Sequence, residues 1–327
     1  MSVPGRGRTA GAVFPLLAIL AWTGNTLVTK AAATVVPPAV IAVDRWLVAL
    51  AVLAPLVGGA LWRQRATVRR QWPRLAVLGA LGMAAYQGLA YQAATTTTAA
   101  HMAVMLALSP LLSSLFASAL AGERPSRATW AGALLSLAGV VVIASRGSLA
   151  TLVAGDLAVG DGLMLLAVAS NALYGVLLRR WPMALTTWQQ LLVQIAFGVA
   201  ILGAWRIGLA VGGVGHGVDH LGPPGDAGPV GGVAGPRSMG GGLTEASLPP
   251  AAWPMIAYAG VAASLGAPYC WIRGVQAIGP ARASLFMNLL PVLVTLAAWP
   301  LLDDVPHAYH ALGAALALGG VWVGQRR

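Results

Sequence analysis

Charged residues and cysteine are both scarce in this chain. Asp, Glu, Lys and Arg make up only 9% of its 327 residues, and Cys270 is its single cysteine. One thiol forms neither an intrachain disulfide nor a thiolate metal site, so thiol redox chemistry is excluded. The shortage of charge also argues against a soluble fold, because 58% of the residues are hydrophobic and the mean hydropathy is +0.76.

The apolar stretches are long enough to cross a bilayer, which takes about 20 helical residues for a hydrocarbon core of about 30 Å. The sequence therefore predicts an all-α membrane protein with ten transmembrane helices. The predicted spans are 12–34, 38–61, 73–93, 98–120, 128–146, 158–178, 187–210, 252–272, 281–302 and 308–325. Five spans fall before residue 147 and five after it, and an odd number per half places the two halves in opposite orientations.

The two halves also share an internal repeat. Residues 72–146 align without a gap on residues 253–327, at a constant offset of 181. The rarer residue types agree across the alignment: Trp72 with Trp253, Pro73 with Pro254, Pro110 with Pro291, Pro125 with Pro306, and Glu123 with Asp304. The first and sixth spans align at an offset of 149. A Gly/Pro-rich insertion at 211–249 accounts for the difference between this offset and the offset of 181. We expect two inverted five-helix repeats, residues 1–147 and 148–327, with the insertion disordered on the exterior.

Arginine predicts the orientation of these spans. The side that holds both termini carries fifteen arginines, whereas the other side carries only Lys30, Arg146, Arg206 and Arg237. Basic loops stay cytoplasmic, so both termini are expected in the cytoplasm and the chain in the inner membrane. The sequence pI of about 11.2 then reflects topology, and no nucleic-acid partner is expected.

Polar side chains at membrane depth are costly unless they face the interior of the bundle. Several fall at helical spacing, such as Asn171 and Tyr174, and suit a cavity lined by aromatic rings and a few amides. The residues expected to line a central substrate cavity are Trp22, Asn25, Arg45, Tyr86, Tyr91, His101, Asn171, Tyr174, Gln194, Tyr269 and Asn288. The alternative is that the tyrosines form interfacial belts and that the amides hold neighbouring helices together.

Three ionisable residues in the predicted spans are candidates for coupling. Lys30 and Asp44 lie at similar depth on the first two spans and are expected to pair. That pair either locks the helical hairpin or serves as a site for a coupling ion or a substrate charge. His101 changes its protonation near neutral pH and is a candidate for proton coupling, the alternative being a hydrogen-bonded histidine with a structural role.

Prolines and small residues occupy matched positions in the two halves. Pro110 and Pro291 lie mid-span in matched helices, where they predict either hinges or static kinks. The fifth and tenth spans are rich in small residues, including Gly132, Gly139 and Gly320. These spans are expected to form a close-packed scaffold or the face of a homodimer.

No arrangement of residues for catalysis or for a metal is evident in the sequence. His216, Asp219 and His220 have a spacing that suits a metal, but Gly-rich disorder is a poor ligand cage. The sequence has no nucleotide-binding loop, no paired intramembrane carboxylates and no nucleophile beside a base. It therefore predicts no enzyme, no metal and no cofactor.

Short motifs give the chain a family resemblance. They are the turn from Trp22 to Asn25, Pro38 and Arg45 in the second span, and Pro110 followed by Gly122, Glu123, Arg124 and Gly132. Together with the tandem five-helix halves, they resemble the drug/metabolite transporter superfamily, specifically its EamA-type ten-helix members. The resemblance covers the chain outside the insertion, although Asp303 and Asp304 stand where a Gly-Glu pair is expected.

The resemblance implies export or exchange of small metabolites such as amino acids through a central cavity. We therefore expect a secondary transporter that works by alternating access, with a small-molecule substrate and the lipid bilayer as its partners. Two other classes stand as alternatives: a lipid flippase or scramblase, and an intramembrane enzyme.

Overall fold

The computed structural model describes residues 6–32, 38–93, 96–148, 150, 158–211, 252–302 and 307–326. These residues form ten helical segments and turns, with no strand among them. The first five segments are α1, Arg6–Ala32; α2, Pro38–Arg63; α3, Arg65–Leu78, π-helical Gly79–Ala85 and Tyr86–Ala93; α4, Ala99–Ala107 and Ser109–Ala121; and α5, Arg127–Ala144. The second five are α6, Val159–Arg180; α7, Thr187–Val211; α8, Ala252–Tyr258, π-helical Ala259–Gly266 and Ala267–Ile278; α9, Pro280–Ser284, 3-10 helical Leu285–Leu289 and Leu290–Leu302; and α10, Ala308–Gln325.

Eight of these segments are long and apolar enough to cross a membrane. The other two described segments are α3, whose first turns are arginine-rich, and α10, which contains His310 and Gln325. The helices begin and end close to the predicted spans, with three exceptions: α1 begins at Arg6 instead of 12, α3 begins at Arg65 instead of 73, and α8 continues to Ile278 instead of ending at 272. The reason is that the backbone hydrogen-bond ladder continues through charged residues, so a helix is not confined to its apolar run.

The π-helical turns of α3 and α8 lie at matched positions of the sequence repeat. A π turn departs from the regular helical ladder, and in each turn one carbonyl accepts a side-chain hydrogen bond from another helix. The Trp22 indole N–H on α1 donates to the Ala263 carbonyl at 3.2 Å, and the Ser170 hydroxyl on α6 donates to the Leu81 carbonyl at 3.0 Å. The first helix of each half is thereby joined to the π turn of the other half.

The helices are grouped into two units that each mix both halves of the chain. In the first unit, α1 packs against α8 and α9, and α2 packs against the π turn of α8. In the second unit, α6 packs against α3 and α4, and α7 packs against the π turn of α3. Helices α5 and α10 form a separate pair that contacts α4 and α9. Each unit therefore contains helices from both halves of the chain.

Glycines bring the backbones of α5 and α10 into direct contact. Gly132 packs against Gly320, and Gly139 packs against Gly313. At the 181-residue offset, Gly132 corresponds to Gly313 and Gly139 corresponds to Gly320. The Gly132–Gly320 contact is therefore equivalent to the Gly139–Gly313 contact, with the two halves of the chain exchanged. Small residues permit this approach where lipid supplies no hydrophobic force between helices. The small-residue faces of both helices are thus engaged within the chain.

Replacement of Gly139 by alanine tests this contact. A Cβ at position 139 would lie 2.5 Å from the Gly313 carbonyl oxygen, so the helices would have to separate. We expect Gly139→Ala to destabilise the protein by about 1 to 3 kcal/mol, the usual cost of overpacking. Gly58→Ala on α2 is the matched control, because nothing lies within 4 Å of its Cβ position. Measured by thermal unfolding in detergent, Gly139→Ala should have a lower melting temperature than the unsubstituted protein, and Gly58→Ala should not. Equal melting temperatures for the two variants would contradict the contact.

Candidate functional site

A cleft of about 550 Å³ opens between the two units at one end of the bundle. We name that end the basic face, after the arginines at its helix termini: Arg63, Arg124, Arg127, Arg179, Arg180, Arg273 and Arg326. The second unit contributes the end of α6, the linker to α7 and the first turn of α7, and the first unit contributes α8. Because its walls belong to different units, the width of the cleft depends on how the units sit against each other.

Two contacts bridge the units along this cleft. A guanidinium N–H of Arg179 on α6 donates to the Gln276 carbonyl on α8, and the Trp188 ring on α7 stacks on Tyr269 of α8 with centroids 4.1 Å apart. Arg179 is also held from α4, since its Nε lies 3.7 Å from Oε1 of Glu123. The Arg179 and Glu123 side chains are 42% and 36% exposed, so this ion pair contributes little, about 0 to 1 kcal/mol. The units are therefore joined here by weak contacts.

Two further polar groups line the cleft without a matching partner. Gln190 is only 4% exposed; its amide N–H donates to the Leu185 carbonyl at 2.8 Å, while its Oε1 is buried with no hydrogen-bond partner. Arg273 lies over the Phe14 ring at 5.5 Å and has no carboxylate partner among the residues that the structure describes. The residues around the cleft thus include an exposed cation, Arg273, and an amide oxygen, Gln190 Oε1, that is buried without a partner.

At the opposite face, His101 near the start of α4 pairs with Asp161 near the start of α6. The His101 Nδ1 lies 3.1 and 3.2 Å from the two carboxylate oxygens. The Thr97 hydroxyl and the Ala158 backbone N–H also donate to this carboxylate. Both helices belong to the second unit, so the pair holds one unit together and does not bridge the two.

Trp22 and Asn25 lie where α1 meets α8, inside the first unit. The Trp22 ring is tilted against Trp271 with centroids 5.6 Å apart, and the Tyr258 hydroxyl donates to the Ala21 carbonyl at 3.2 Å. The Asn25 Oδ1 is buried without a hydrogen-bond partner. A buried amide oxygen without a hydrogen bond lowers the free energy of unfolding by about 1 to 3 kcal/mol. A hydrogen-bond donor that reached the Asn25 Oδ1 would therefore be stabilising.

Arg45 and Gln194 occupy equivalent places in the two halves, at the offset of 149. The Arg45 carbonyl faces Gly260 in the π turn of α8, and the Gln194 carbonyl faces Gly79 in the π turn of α3. Arg45 is 8% exposed and its Nε has no hydrogen-bond partner. Gln194 is fully buried; its Oε1 accepts the Tyr174 hydroxyl at 3.0 Å, and its Nε2 has no partner. Each half thus holds one buried, unsatisfied nitrogen at this position.

Asn288 lies at the contact between α4 and α9. Its amide nitrogen donates to the Ser136 hydroxyl at 2.7 Å and to the Ala107 carbonyl at 3.4 Å, while its Oδ1 is buried without a partner. Ala107 is the residue that the 181-residue offset pairs with Asn288, so matched positions of the two halves meet here.

The other predicted cavity residues are spread through the bundle. Tyr86 and Asn171 are half-buried, Tyr86 against the α3–α6 contact. Of the ten predicted cavity residues whose side chains the structure describes, only Tyr269 lines the cleft. The side chains of Tyr91, Lys30 and Asp44 lie outside the described residues, so the predicted Lys30–Asp44 pair stays a prediction.

The insertion 211–249, with His216, Asp219 and His220, also lies outside the described residues, apart from the helical residue 211. Within the described part of the chain, no group of three or more His, Cys, Asp or Glu residues is placed to hold a metal.

The matched prolines begin helices. Pro110 is the second residue of Ser109–Ala121, directly after the break at Leu108, and Pro291 is the second residue of Leu290–Leu302, directly after the 3-10 turn. In the first turn of a helix the missing N–H of proline costs no intrahelical hydrogen bond. Each proline therefore restarts a helix after an interruption, instead of bending a continuous one.

The sequence does not single out Asp161, Arg179 or Arg273, whereas Gln190 stands one turn from Gln194 on an amide stripe that suits a cavity. Asp161 carried a usable signal, because it is a carboxylate in the first turn of a predicted span, at the same face as His101. Arg179 and Arg273 lie at span ends, where arginine indicates orientation and its partners depend on which helices meet.

Comparison with known proteins agrees with this architecture. The model of the EamA-like transporter family matches residues 9–145 and 239–323. "Uncharacterized transporter YyaM" of Bacillus subtilis (strain 168) is 22% identical over 263 residues, which are 79% of this chain and 74% of that protein. "Probable terminal-alkyne amino-acid exporter" of Streptantibioticus cattleyicolor is 37% identical over 100 residues, which are 31% of this chain and 32% of that protein.

A protein of known crystal structure has the same fold, with a TM-score of 0.68, 24% sequence identity, and coverage of 97% of this chain and 96% of that one. The family match extends over both halves of the chain and over more than half of its residues. This chain therefore belongs to the EamA-like transporter family and is a multi-pass membrane protein that acts on a small-molecule substrate.

Proposed function

We propose that the protein is a secondary transporter that exports a small organic metabolite, an amino acid or a related solute, by alternating access. The observation that carries the proposal is the division into two units that meet at the basic-face cleft. Separation of the units at this face would break the Arg179–Gln276 and Trp188–Tyr269 contacts and open a path between them. As a carrier, the protein would make and break no covalent bond.

The architecture proposed for this mechanism is ten transmembrane helices in two inverted repeats, residues 1–147 and 148–327. A two-fold axis in the membrane plane makes matched residues exchange partners, as in any two-fold contact. The exchanged glycine contacts of α5 and α10 and the matched π turns of α3 and α8 support such an axis. An inverted repeat supplies equivalent gates at the two membrane faces, one built from each half of the chain.

In the proposed orientation, the basic face and both termini are cytoplasmic and the chain lies in the inner membrane. Loops rich in Arg stay on the cytoplasmic side, and the described helices carry fewer basic residues toward the opposite face, namely Lys30, Arg146 and Arg206. The cleft would then open toward the cytoplasm, which is the side from which an exporter takes its substrate.

The path proposed between the units uses the buried polar groups that lack partners. Unpaired atoms remain on Asn25 and Arg45 in the first unit, on Gln194 in the second unit, and on Asn288 where the units meet at α4 and α9. Such groups are costly in a closed bundle and are satisfied when water or substrate reaches them. Pro110 and Pro291 mark the helix breaks where α4 and α9 would bend during this opening.

A homodimer through α5 and α10 is a further part of the proposal. Because the glycine faces of these helices contact each other, a dimer would use their outer faces, where Leu134, Leu312, Leu318 and Trp322 are exposed.

Counterflow into proteoliposomes tests the transport proposal. Vesicles preloaded with one unlabelled amino acid or related metabolite should accumulate the same radiolabelled solute, because a carrier exchanges without net energy input. The panel is repeated with and without a pH gradient to separate exchange from proton coupling. Vesicles without protein are the control. Scrambling of a labelled lipid in the absence of any solute counterflow would instead identify a lipid flippase.

The His101–Asp161 pair yields a separate prediction, because it lies within one unit. We expect His101→Leu to cost about 1 to 3 kcal/mol by removing a donor from a buried carboxylate, and so to lower the melting temperature by a few degrees. The response of transport to the pH gradient should match that of the unsubstituted protein. If the variant instead keeps its melting temperature and loses its pH response, His101 is a proton-coupling residue.

A further inference from the structure

The end of α2 and the first turns of α3 form a strongly basic elbow, which we define as residues 62–74. A single non-helical residue, Gln64, separates the two helices. The elbow contains no acidic residue, and its five arginines are all exposed: Arg63, Arg65, Arg69, Arg70 and Arg74. None of them has a carboxylate partner among the residues that the structure describes. The elbow is therefore an uncompensated patch of positive charge.

The N-terminus of α3 adds to this positive potential. A helix N-terminus carries unpaired N–H groups and a partial positive charge, so acidic side chains are stabilising there and basic ones are not. The first turn of α3 begins with Arg65 and has no acidic residue, and the Gln64 side chain does not cap it. An anion from outside the chain would relieve this unfavourable arrangement of like charges.

The elbow lies at the depth of the lipid headgroups. The apolar span of α2 ends at Arg63, and the Trp62 and Trp72 side chains are 71% and 53% exposed. Exposed tryptophans are typical of the boundary between hydrocarbon and water. Residues 65–72 extend α3 by about 12 Å beyond its predicted span. The headgroup layer is about 5 to 8 Å thick on each side of the bilayer, so the arginines lie within reach of its phosphates.

The inner side of the elbow is packed against the wall of the cleft. Val68 and Leu75 of α3 and Leu61 of α2 share an apolar cluster with Leu185 and Val193. Leu185 also lines the basic-face cleft. Because α2 belongs to the first unit and α3 to the second, the elbow is where the chain crosses directly from one unit to the other. A ligand on its outer side thus occupies the joint between the units.

The equivalent helix start in the second half lacks this charge. At the 181-residue offset, Trp72 and Pro73 correspond to Trp253 and Pro254, whereas Arg74 corresponds to Met255. No basic residue occurs in residues 252–272 of α8. The repeat thus keeps the tryptophan and the proline without the arginines, so the fold of this helix start does not require positive charge.

We infer that the elbow is a binding site for anionic phospholipids of the surrounding bilayer. Arg65, Arg69 and Arg70 bind the phosphate oxygens, because the planar guanidinium matches a phosphate in bidentate geometry. The rings of Trp62, which lies under the Arg65 guanidinium at 5.6 Å, and Trp72 lie against the glycerol backbone and the upper acyl chain. The inference goes beyond the proposed transport function and does not depend on which solute is carried.

Lipid retention measured by native mass spectrometry tests this site. Full-length protein is released from nanodiscs that contain phosphatidylcholine and phosphatidylglycerol in equal amounts. We expect phosphatidylglycerol to be retained in excess over phosphatidylcholine. Each basic residue near an anionic surface strengthens binding roughly fivefold. Arg65→Gln, Arg69→Gln and Arg70→Gln together should therefore lower the excess by about tenfold or more, with the melting temperature in phosphatidylcholine alone unchanged.

The matched control removes the same charge from the same face outside the elbow. It combines Arg124→Gln, Arg127→Gln and Arg180→Gln, all at exposed positions. This variant should keep the excess of phosphatidylglycerol. Equal loss in the two triple variants overturns the site, because the preference would then reflect the charge of the whole face.

The unsubstituted protein supplies a second test, which does not depend on the folding of any variant. Its excess of phosphatidylglycerol should fall when the nanodiscs are equilibrated at about 1 M instead of about 0.1 M salt, because salt screens exposed charges. An excess that is absent, or that salt does not change, overturns the site. So does stabilisation by inorganic phosphate in phosphatidylcholine nanodiscs that the elbow variant loses, because the arginines would then bind a soluble anion. Each of these results is read without solute counterflow, so failure of the lipid site and failure of the proposed function are distinguishable.

Discussion

The fold depends on helix contact in a solvent that does not drive helices together. Lipid chains are as apolar as the helices they surround, so association relies on close packing and on hydrogen bonds between helices. The α5–α10 pair achieves this with glycines that bring two backbones into contact. It joins one helix of each half and contacts both α4 and α9. The two units are therefore held against a common support that belongs to neither.

Strong and weak contacts are distributed unevenly around that support. Within the units, buried groups pair at short range, such as Trp22 with the Ala263 carbonyl and Ser170 with the Leu81 carbonyl. Between the units, the contacts that line the basic-face cleft are a ring stack and an exposed arginine that also binds Glu123. Exposed ion pairs contribute at most about 1 kcal/mol, so these cleft contacts are weaker than the buried pairs inside a unit. The units also meet where α2 packs against α7 and where α4 packs against Pro280–Ser284, and these surfaces would have to slide as the units move.

The sequence predicts the helices better than it predicts their partners. Helix positions follow from apolar runs, and the 181-residue repeat anticipates contacts such as Asn288 with Ala107. The π turns carry no hydrophobic signal, because they depend on Gly79 and Gly260 meeting the carbonyls of another helix. The basic-face cleft was missed for a similar reason: Arg179 and Arg273 indicate orientation in the sequence, and their common wall exists only once α6 and α8 are neighbours.

Cross-linking of the two units at the basic face tests the central claim most directly. In a Cys270→Ser background, Trp188→Cys and Tyr269→Cys are joined by a short bis-methanethiosulfonate reagent, which forms a reducible disulfide with each thiol and releases methanesulfinate. The control joins Gly11→Cys to Ala277→Cys within the first unit, where a Cβ at position 11 would lie 3.1 Å from the Ala277 Cβ. The account predicts that the first cross-link abolishes solute counterflow until it is reduced, and that the control cross-link does not. Undiminished counterflow with the units fully cross-linked would contradict it.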